Sequence, residues 1–147
     1  SENYILPFGK AWVLQEIWPQ DNKETITIVT YGMGVHWAMN ASEELELQDQ
    51  VEIIDLRTLF PLDEDCIMKS VKKTKKCLVI TEEPSNNSFA LALCGKIQEK
   101  CFQYLDAPVM TIGSENMPAI PLNSTLEETM IPSTSKVKEK VLELFQY

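Results

Sequence analysis

Apolar residues along this chain fall into two alternating patterns: short, nearly unbroken β-branched runs, and longer stretches in which they return every third or fourth position. The runs are Thr25 to Thr30, Val51 to Ile54, Cys77 to Ile80 and Val109 to Ile112. They begin 26, 26 and 32 residues apart, close to the roughly 30 residues of one strand-helix unit, which predicts a parallel sheet. Near-continuous apolarity, in place of strict alternation, predicts helices on both of its faces.

Four stretches carry the helical period. Val35, Ala38, Met39, Ser42 and Leu45 share one face of a first helix, and Cys66, Ile67, Ser70 and Val71 share one face of a second. Phe89, Leu93, Ile97 and Cys101, with Cys94 and Leu105 beside them, give a third its buried stripe; Val137, Val141, Leu144 and Phe145 do so for a C-terminal helix. The second helix has matched ends, with Asp63, Glu64 and Asp65 in its first turn and Lys72, Lys73, Lys75 and Lys76 near its last. Both groups oppose the helix dipole favourably.

Residues 1–24 form an N-terminal arm in which Tyr4 to Phe8 and Ala11 to Ile17 look strand-like. The gap at Pro19, Gln20, Asp21, Asn22 and Lys23 is too short for a crossover helix, since a parallel pairing needs a dozen or more connecting residues. Ala11 to Ile17 is therefore expected to be an antiparallel strand on a hairpin-like loop, and the chain one domain, 1–147.

With 44% hydrophobic residues, a chain of this length buries a core that needs neither metal nor disulfide. No apolar run approaches a membrane span, and no signal-peptide pattern opens the sequence, so a cytosolic location is the default. The net charge of -9 argues against nucleic acid, which needs a basic footprint, and suits a basic protein partner. The cluster from Lys69 to Lys76 is read as a solvated helix end. Cys66, Cys77, Cys94 and Cys101 lack CxxC spacing and fall on predicted stripes, which makes them core thiols and leaves no zinc site.

Candidate chemistry gathers at strand ends, where α/β proteins place their sites. Gly32-Met33-Gly34 follows a strand and opens a helix, and Asp55 ends the next strand 23 positions after Gly32, near the separation of a dinucleotide-binding pair. Trp37 occupies the place where that fingerprint needs a small residue, so a tight turn is the plainer role. His36 is the one histidine and stands in the first turn of a helix. Asp55 and Arg57 are expected to pair or to brace loop backbone. Glu82 and Glu83 should point to opposite faces of their strand and so cannot act as a side-by-side acid-base pair. The loop from Ile112 to Pro121, with two prolines, is suited to covering a neighbouring surface.

Taken in order, Ile28-Val29-Thr30-Tyr31-Gly32, Val35-His36-Trp37-Ala38 and Glu52-Ile53-Ile54-Asp55-Leu56-Arg57-Thr58-Leu59-Phe60-Pro61-Leu62-Asp63 resemble the C-terminal domain of the β subunit of 2-oxo acid dehydrogenase E1. The likeness continues through Ser70 to Thr74, Glu82 with Pro84, Ile97 to Phe102, Ala107-Pro108-Val109 and Pro118 to Pro121. Departures are Thr81-Glu82-Glu83-Pro84 where the family often has His-Glu-Ala-Pro, Asn86-Asn87 where it has a Gly pair, and the insertion around Gln20 to Lys23.

The resemblance implies a three-layer α/β/α domain with a five-stranded mixed sheet, four strands parallel and one antiparallel. It also implies pyruvate or branched-chain 2-oxo acids as substrates of a larger parent enzyme, with the acyl group passed to lipoyl-E2. Thiamine diphosphate and magnesium would be held by other domains, because the Gly-Asp-Gly and Asn-Asn signature is absent here. On this reading the domain has no catalytic, cofactor or metal residue of its own, and it associates with other E1 subunits in a homo-oligomer or heterotetramer. His36 and Arg57 would come near the active-site side. Asp106, Glu127, Glu128 and the Tyr147 carboxylate would meet the E2 binding module. The compartment would be the bacterial cytoplasm or the mitochondrial matrix. The other readings are another thiamine enzyme, of transketolase or deoxyxylulose-phosphate synthase type, and a flavodoxin-like nucleotide-binding domain.

Overall fold

A computed structural model describes residues 5–20 and 22–147; Tyr4 and Asp21 lie outside the described residues. Five strands, β1 (Trp12–Gln15), β2 (Ile26–Thr30), β3 (Val51–Asp55), β4 (Cys77–Pro84) and β5 (Met110–Ser114), form one sheet in the order β1-β3-β2-β4-β5. β2, β3, β4 and β5 are parallel to their neighbours and β1 is antiparallel to β3.

The helices are α1 (Met33–Glu44), α2 (Glu64–Thr74), α3 (Phe89–Cys101), α4 (Ser124–Met130) and α5 (Thr134–Leu144). Strand side chains alternate, so each face of the sheet carries its own core. Ile26, Ile28, Ile53, Leu78 and Ile80 meet Ala38, Ala41, Val137, Val141 and Leu144, which places α1 and α5 on one face. Val29, Ile54 and Val79 meet Ile67, Val71, Ala90, Leu93 and Ile97, which places α2 and α3 on the other. The three-layer expectation holds, because strands apolar on both sides must be covered on both.

Several readings need correction. β1 pairs with β3 and not with β2, its neighbour in sequence, because β2 already bonds β3 on one edge and β4 on the other; the connection is no hairpin. Residues 5–7 make no strand and Phe8 lies in a turn. In α1 the buried face is Gly34, Ala38, Ala41 and Ser42, while Met39 faces solvent. α4, which no apolar stripe announces, buries Met130 alone.

Lys76 is not solvated. It is 1% exposed, its ammonium bonds Glu24 at 2.6 Å, and it lies 6.0 Å from the centre of the Phe145 ring. Lys73 likewise turns inward to the carboxylate of Glu52, which is 2% exposed and also accepts the Ile17 N–H at 3.1 Å. The Ile17 carbonyl accepts from the same ammonium at 3.1 Å, so one ion pair, of a half-buried lysine with a buried glutamate, ties the arm to β3 and α2. α2 begins on Asp63, whose carboxylate accepts the Cys66 N–H, and ends on Lys75 in the left-handed conformation, φ 65°.

Cys77, Cys94 and Cys101 are buried and Cys66 is half-buried. Desolvation pushes the Cys94 thiol up to about 11 and raises the other three, so all four stay protonated near neutrality. That is the behaviour of packing groups, although Cys66 also lines a surface groove of about 410 Å³ between α2 and β1.

Candidate functional site

At the carboxyl ends of the strands the sheet order creates a switch point. α1 leaves β2 over one face and α3 leaves β4 over the other, so a crevice opens between β2 and β4, where doubly wound folds hold their ligands. Gly32 turns the chain there with φ 59°. A Cβ on Gly34 would stand 2.0 Å from Thr30 Oγ1, so glycine is needed for the first turn of α1 to settle on β2. The glycine pair thus serves the tight turn.

The crevice is occupied by the protein's own carboxylate. Glu82 Oε1 accepts the Met33 N–H at 2.9 Å, which is the position at a helix N-terminus that a ligand phosphate would take. Glu83 points the other way, as strand alternation requires. Its Oε1 accepts the Tyr31 hydroxyl at 2.6 Å and its Oε2 the Phe89 N–H at 2.9 Å. Burial, then the bond to Glu83, pushes the Tyr31 phenol up to about 12. The two acids cap two helices on opposite faces and do not form a catalytic pair.

Arg57 stands in the left-handed conformation, φ 59°. Its N–H donates to Asp55 Oδ1 at 3.1 Å, its guanidinium reaches Asp55 Oδ2 at 3.5 Å, and it stacks 5.4 Å from the centre of the Trp12 ring. Both sequence expectations for this pair, ion pair and backbone brace, are met. His36 is exposed in the first turn of α1. Since the Leu56 N–H bonds the Thr30 carbonyl at 2.9 Å, His36 and Arg57 lie at the same end of two adjacent strands.

Around them is a rim that sequence reading did not single out. Phe60 is 96% exposed, Phe8 85%, Ile5 82% and Trp12 51%. The arm and the β3 loop are held together there, with the Gly9 N–H on Thr58 Oγ1 at 3.0 Å. Past β5, at the same end, Met117, Ile120, Leu122 and Leu126 are also exposed. Phe60 could have been found from its isolation between a strand and the Pro61 to Asp63 helix start; Phe8 had no periodic signal.

The acidic residues separate. Asp106 is next to Lys75, 4.0 Å away, where β4 begins, and Tyr147 follows α5, whose last turn brings Phe145 to Lys76 at that end. Glu127 and Glu128 stand on α4 beyond the other end, where the Met130 carbonyl accepts the Glu115 N–H. These residues form two distant acidic surfaces and not one patch.

Thiamine diphosphate with magnesium does not fit the residues present. Glu82 fills the anion position, and among the described residues no group of three or more His, Cys, Asp or Glu could hold a metal ion. Among the described residues no helix is long and apolar enough to cross a membrane.

Fold and strand-end geometry together define a three-layer α/β/α domain of transketolase C-terminal type. The chain belongs to the family "Transketolase, C-terminal domain", whose model matches residues 17–137. It is 34% identical over its whole length to the 2-oxoisovalerate dehydrogenase subunit beta of Bacillus subtilis, covering 43% of that protein. It is 33% identical over 95% of its length to the pyruvate dehydrogenase E1 component subunit beta of Rhizobium meliloti, covering 29% of it. It is also 33% identical over 91% of its length to the acetoin:2,6-dichlorophenolindophenol oxidoreductase subunit beta of Cupriavidus necator, covering 38%. Among solved structures, a "Split gene transketolase, inactive beta4 tetramer" superposes with TM-score 0.73 at 20% identity over 99% of this chain and 44% of that one. The chain therefore spans less than half the length of these relatives.

Proposed function

We propose that this chain is the subunit-association and E2-docking domain of the β subunit of a thiamine-diphosphate-dependent 2-oxo acid dehydrogenase E1 component. The observation that carries the reading is the apolar rim: several large apolar side chains, Phe8, Trp12 and Phe60 among them, stand exposed at one end of the sheet, and such exposure marks a surface that is covered in the working protein. The parent enzyme decarboxylates a 2-oxo acid and passes the acyl group to lipoyl-E2, with thiamine diphosphate and magnesium bound by its other domains. This domain's share is geometric, because a site shared between subunits exists only while they dock rigidly. His36 and Arg57 then stand on the active-site side as rim residues. The relatives' names support a 2-oxo acid or acetoin parent without choosing the substrate.

The E2 module meets one of the two acidic surfaces, Asp106 with Tyr147 or Glu127 with Glu128, and is steered there mainly through its association rate. Charge reversal at Asp106 and at Glu128, made separately, assigns the end by which on-rate falls. The parent works in a bacterial cytoplasm or the mitochondrial matrix.

The decisive experiment is Phe60→Asp in the full β subunit with its partner, followed by sedimentation. Burying a charge at the centre of an interface should weaken assembly about thirtyfold or more. Unchanged assembly refutes the reading, and turnover of sugar phosphates but not 2-oxo acids by the unaltered parent would move it to the transketolase branch. The nucleotide-binding alternative is disfavoured by Glu82, which stands where a phosphate would bind.

A further inference from the structure

The apolar rim is made from two pieces of chain far apart in sequence. Ile5, Phe8 and Trp12 come from the arm and Phe60 from the loop after β3, and all four are exposed. What joins the pieces is polar. Thr58 Oγ1 accepts the Gly9 N–H at 3.0 Å and donates to the Pro61 carbonyl at 2.9 Å. Asp63 Oδ2 accepts the Ala11 N–H at 3.0 Å while its Oδ1 accepts the Cys66 N–H at 3.3 Å, and the carboxylate lies 4.0 Å from the Lys10 ammonium. Gly9 crosses Pro61 with φ 70°, and a Cβ there would stand 3.0 Å from Pro61 Cγ.

Apolar burial does little for this stretch. Residues 5–8 are exposed, and of residues 9–12 only Gly9 and Ala11 are half-buried. From Val13 onward the arm is fixed differently: Leu14 and Val13 pack on the cores of the two faces, and Ile17 is buried and bonded to Glu52 and Lys73. The pairing of β1 with β3 shifts register between Val13 and Gln15, and a strand bends at such a place. A segment with few buried apolar contacts opens at a lower free energy than the core beneath it.

We propose that Asp63 is a positioning residue for the docking surface: its carboxylate latches residues 5–12 beside Phe60, so the rim is complete only while that bond is made. The inference rests on the interface proposed above. The two oxygens divide the work, one starting α2 and the other holding the arm, so the arm, the loop after β3 and the start of α2 stay together as one body. Thr58 makes the second, neutral bond of the latch. A hydrogen bond to an ionised acceptor is roughly twice as strong as a neutral one, which puts most of the hold on Asp63. A neighbouring subunit that covers the rim binds the latched form, and its apparent affinity falls in proportion to the fraction of arms that are open.

The test is Asp63→Asn in the full-length β subunit, free and assembled with its partner. Asparagine caps a helix as well as aspartate does and keeps the side chain's shape, but it has one acceptor oxygen in place of two and turns an NH2 toward the remaining N–H. The free subunit should therefore keep its melting temperature and the slow amide exchange of α2. Exchange at Gly9 and Ala11 should rise about tenfold or more, as expected for a lost bond to a charged acceptor, and the subunit dissociation constant should rise about threefold or more. Asp63→Ser, which also caps but with a single oxygen, should give the same pattern and serves as the second variant. Exchange at Gly9 and Ala11 within about twofold of the unaltered protein for both variants overturns the latch. Phe60→Asp separates the two ideas: if it breaks assembly while the Asp63 variants loosen the arm and leave the dissociation constant unchanged, only the inference falls. If Phe60→Asp leaves assembly intact, the interface and the inference fall together.

Discussion

The two ends of this sheet are built on different principles. Where the parallel strands begin, charge is folded inward: Lys76 is sealed against Glu24, and Lys73 with Glu52 pins the arm. Aromatic rings exposed near that end are dressed by cations, Tyr104 by Lys72 at 5.1 Å and Trp18 by Lys73 at 6.0 Å, as Trp12 is by Arg57 at the other. Where the strands finish, carboxylates cap helices and large apolar side chains stand in water. One end spends its polar groups on holding the fold, and the other leaves its apolar groups for something else to cover.

That contrast can be broken by mutation, beginning where the effect is largest. Lys73→Ala leaves Glu52 buried without its counter-ion and should cost about 3 kcal/mol, read from urea unfolding; a loss below about 1 kcal/mol would show that water reaches Glu52. Gly34→Ala tests whether the rim's scaffold is as tight as its surface is open. Its Cβ would stand 2.0 Å from Thr30 Oγ1 and 3.2 Å from Ile80 Cγ2, so overpacking should cost about 2 kcal/mol in the same measurement. By contrast, Phe60→Asp should change the stability of the free subunit by no more than about 0.5 kcal/mol, since Phe60 makes little of the core. A large loss there would mean that the rim holds the fold and not a partner.

The smallest effect is alkaline. Tyr31 ionises near 10 when unfolded and at about 12 in the fold, so between those values the unfolded chain has released a proton that the native one keeps. Stability contributed by this group is whole below pH 10 and falls as pH rises to about 12. Tyr31→Phe should remove that part of the decline, seen as a shallower fall of the urea midpoint over this range. Equal slopes would mean that the hydroxyl is neither buried nor held by Glu83 as described.

Much of the scaffold was legible from residues 25 to 112. β-branched runs at regular spacing are what a doubly covered parallel strand requires, and Asp63 with the lysines of α2 marked both ends of that helix. Glu82 and Glu83 could be sent to opposite faces from strand geometry alone. What pairs with what was less legible. The partner of β1 depends on both edges of β2 being filled, which is a property of the whole sheet. Lys76 read as solvated because a helix-end lysine normally is; only the fold brings Glu24 and Phe145 to it. The rim was missed because Phe8, Trp12 and Phe60 are far apart in sequence and have no common period. The acidic residues were grouped by their nearness to the C-terminus, although β5 and its flanking loops put them at different ends.

The antiparallel course of β1 has a practical consequence. Trp12 pairs with Asp55 and Gln15 with Ile53, so the chain comes into the domain beside Phe60 and runs away from it. A fluorescent reporter or affinity tag joined ahead of Ile5 would hang over the surface offered to a neighbour and mask it. One joined after Tyr147 would project from the far side and leave that surface clear, so pull-down experiments with the two fusions should give opposite answers.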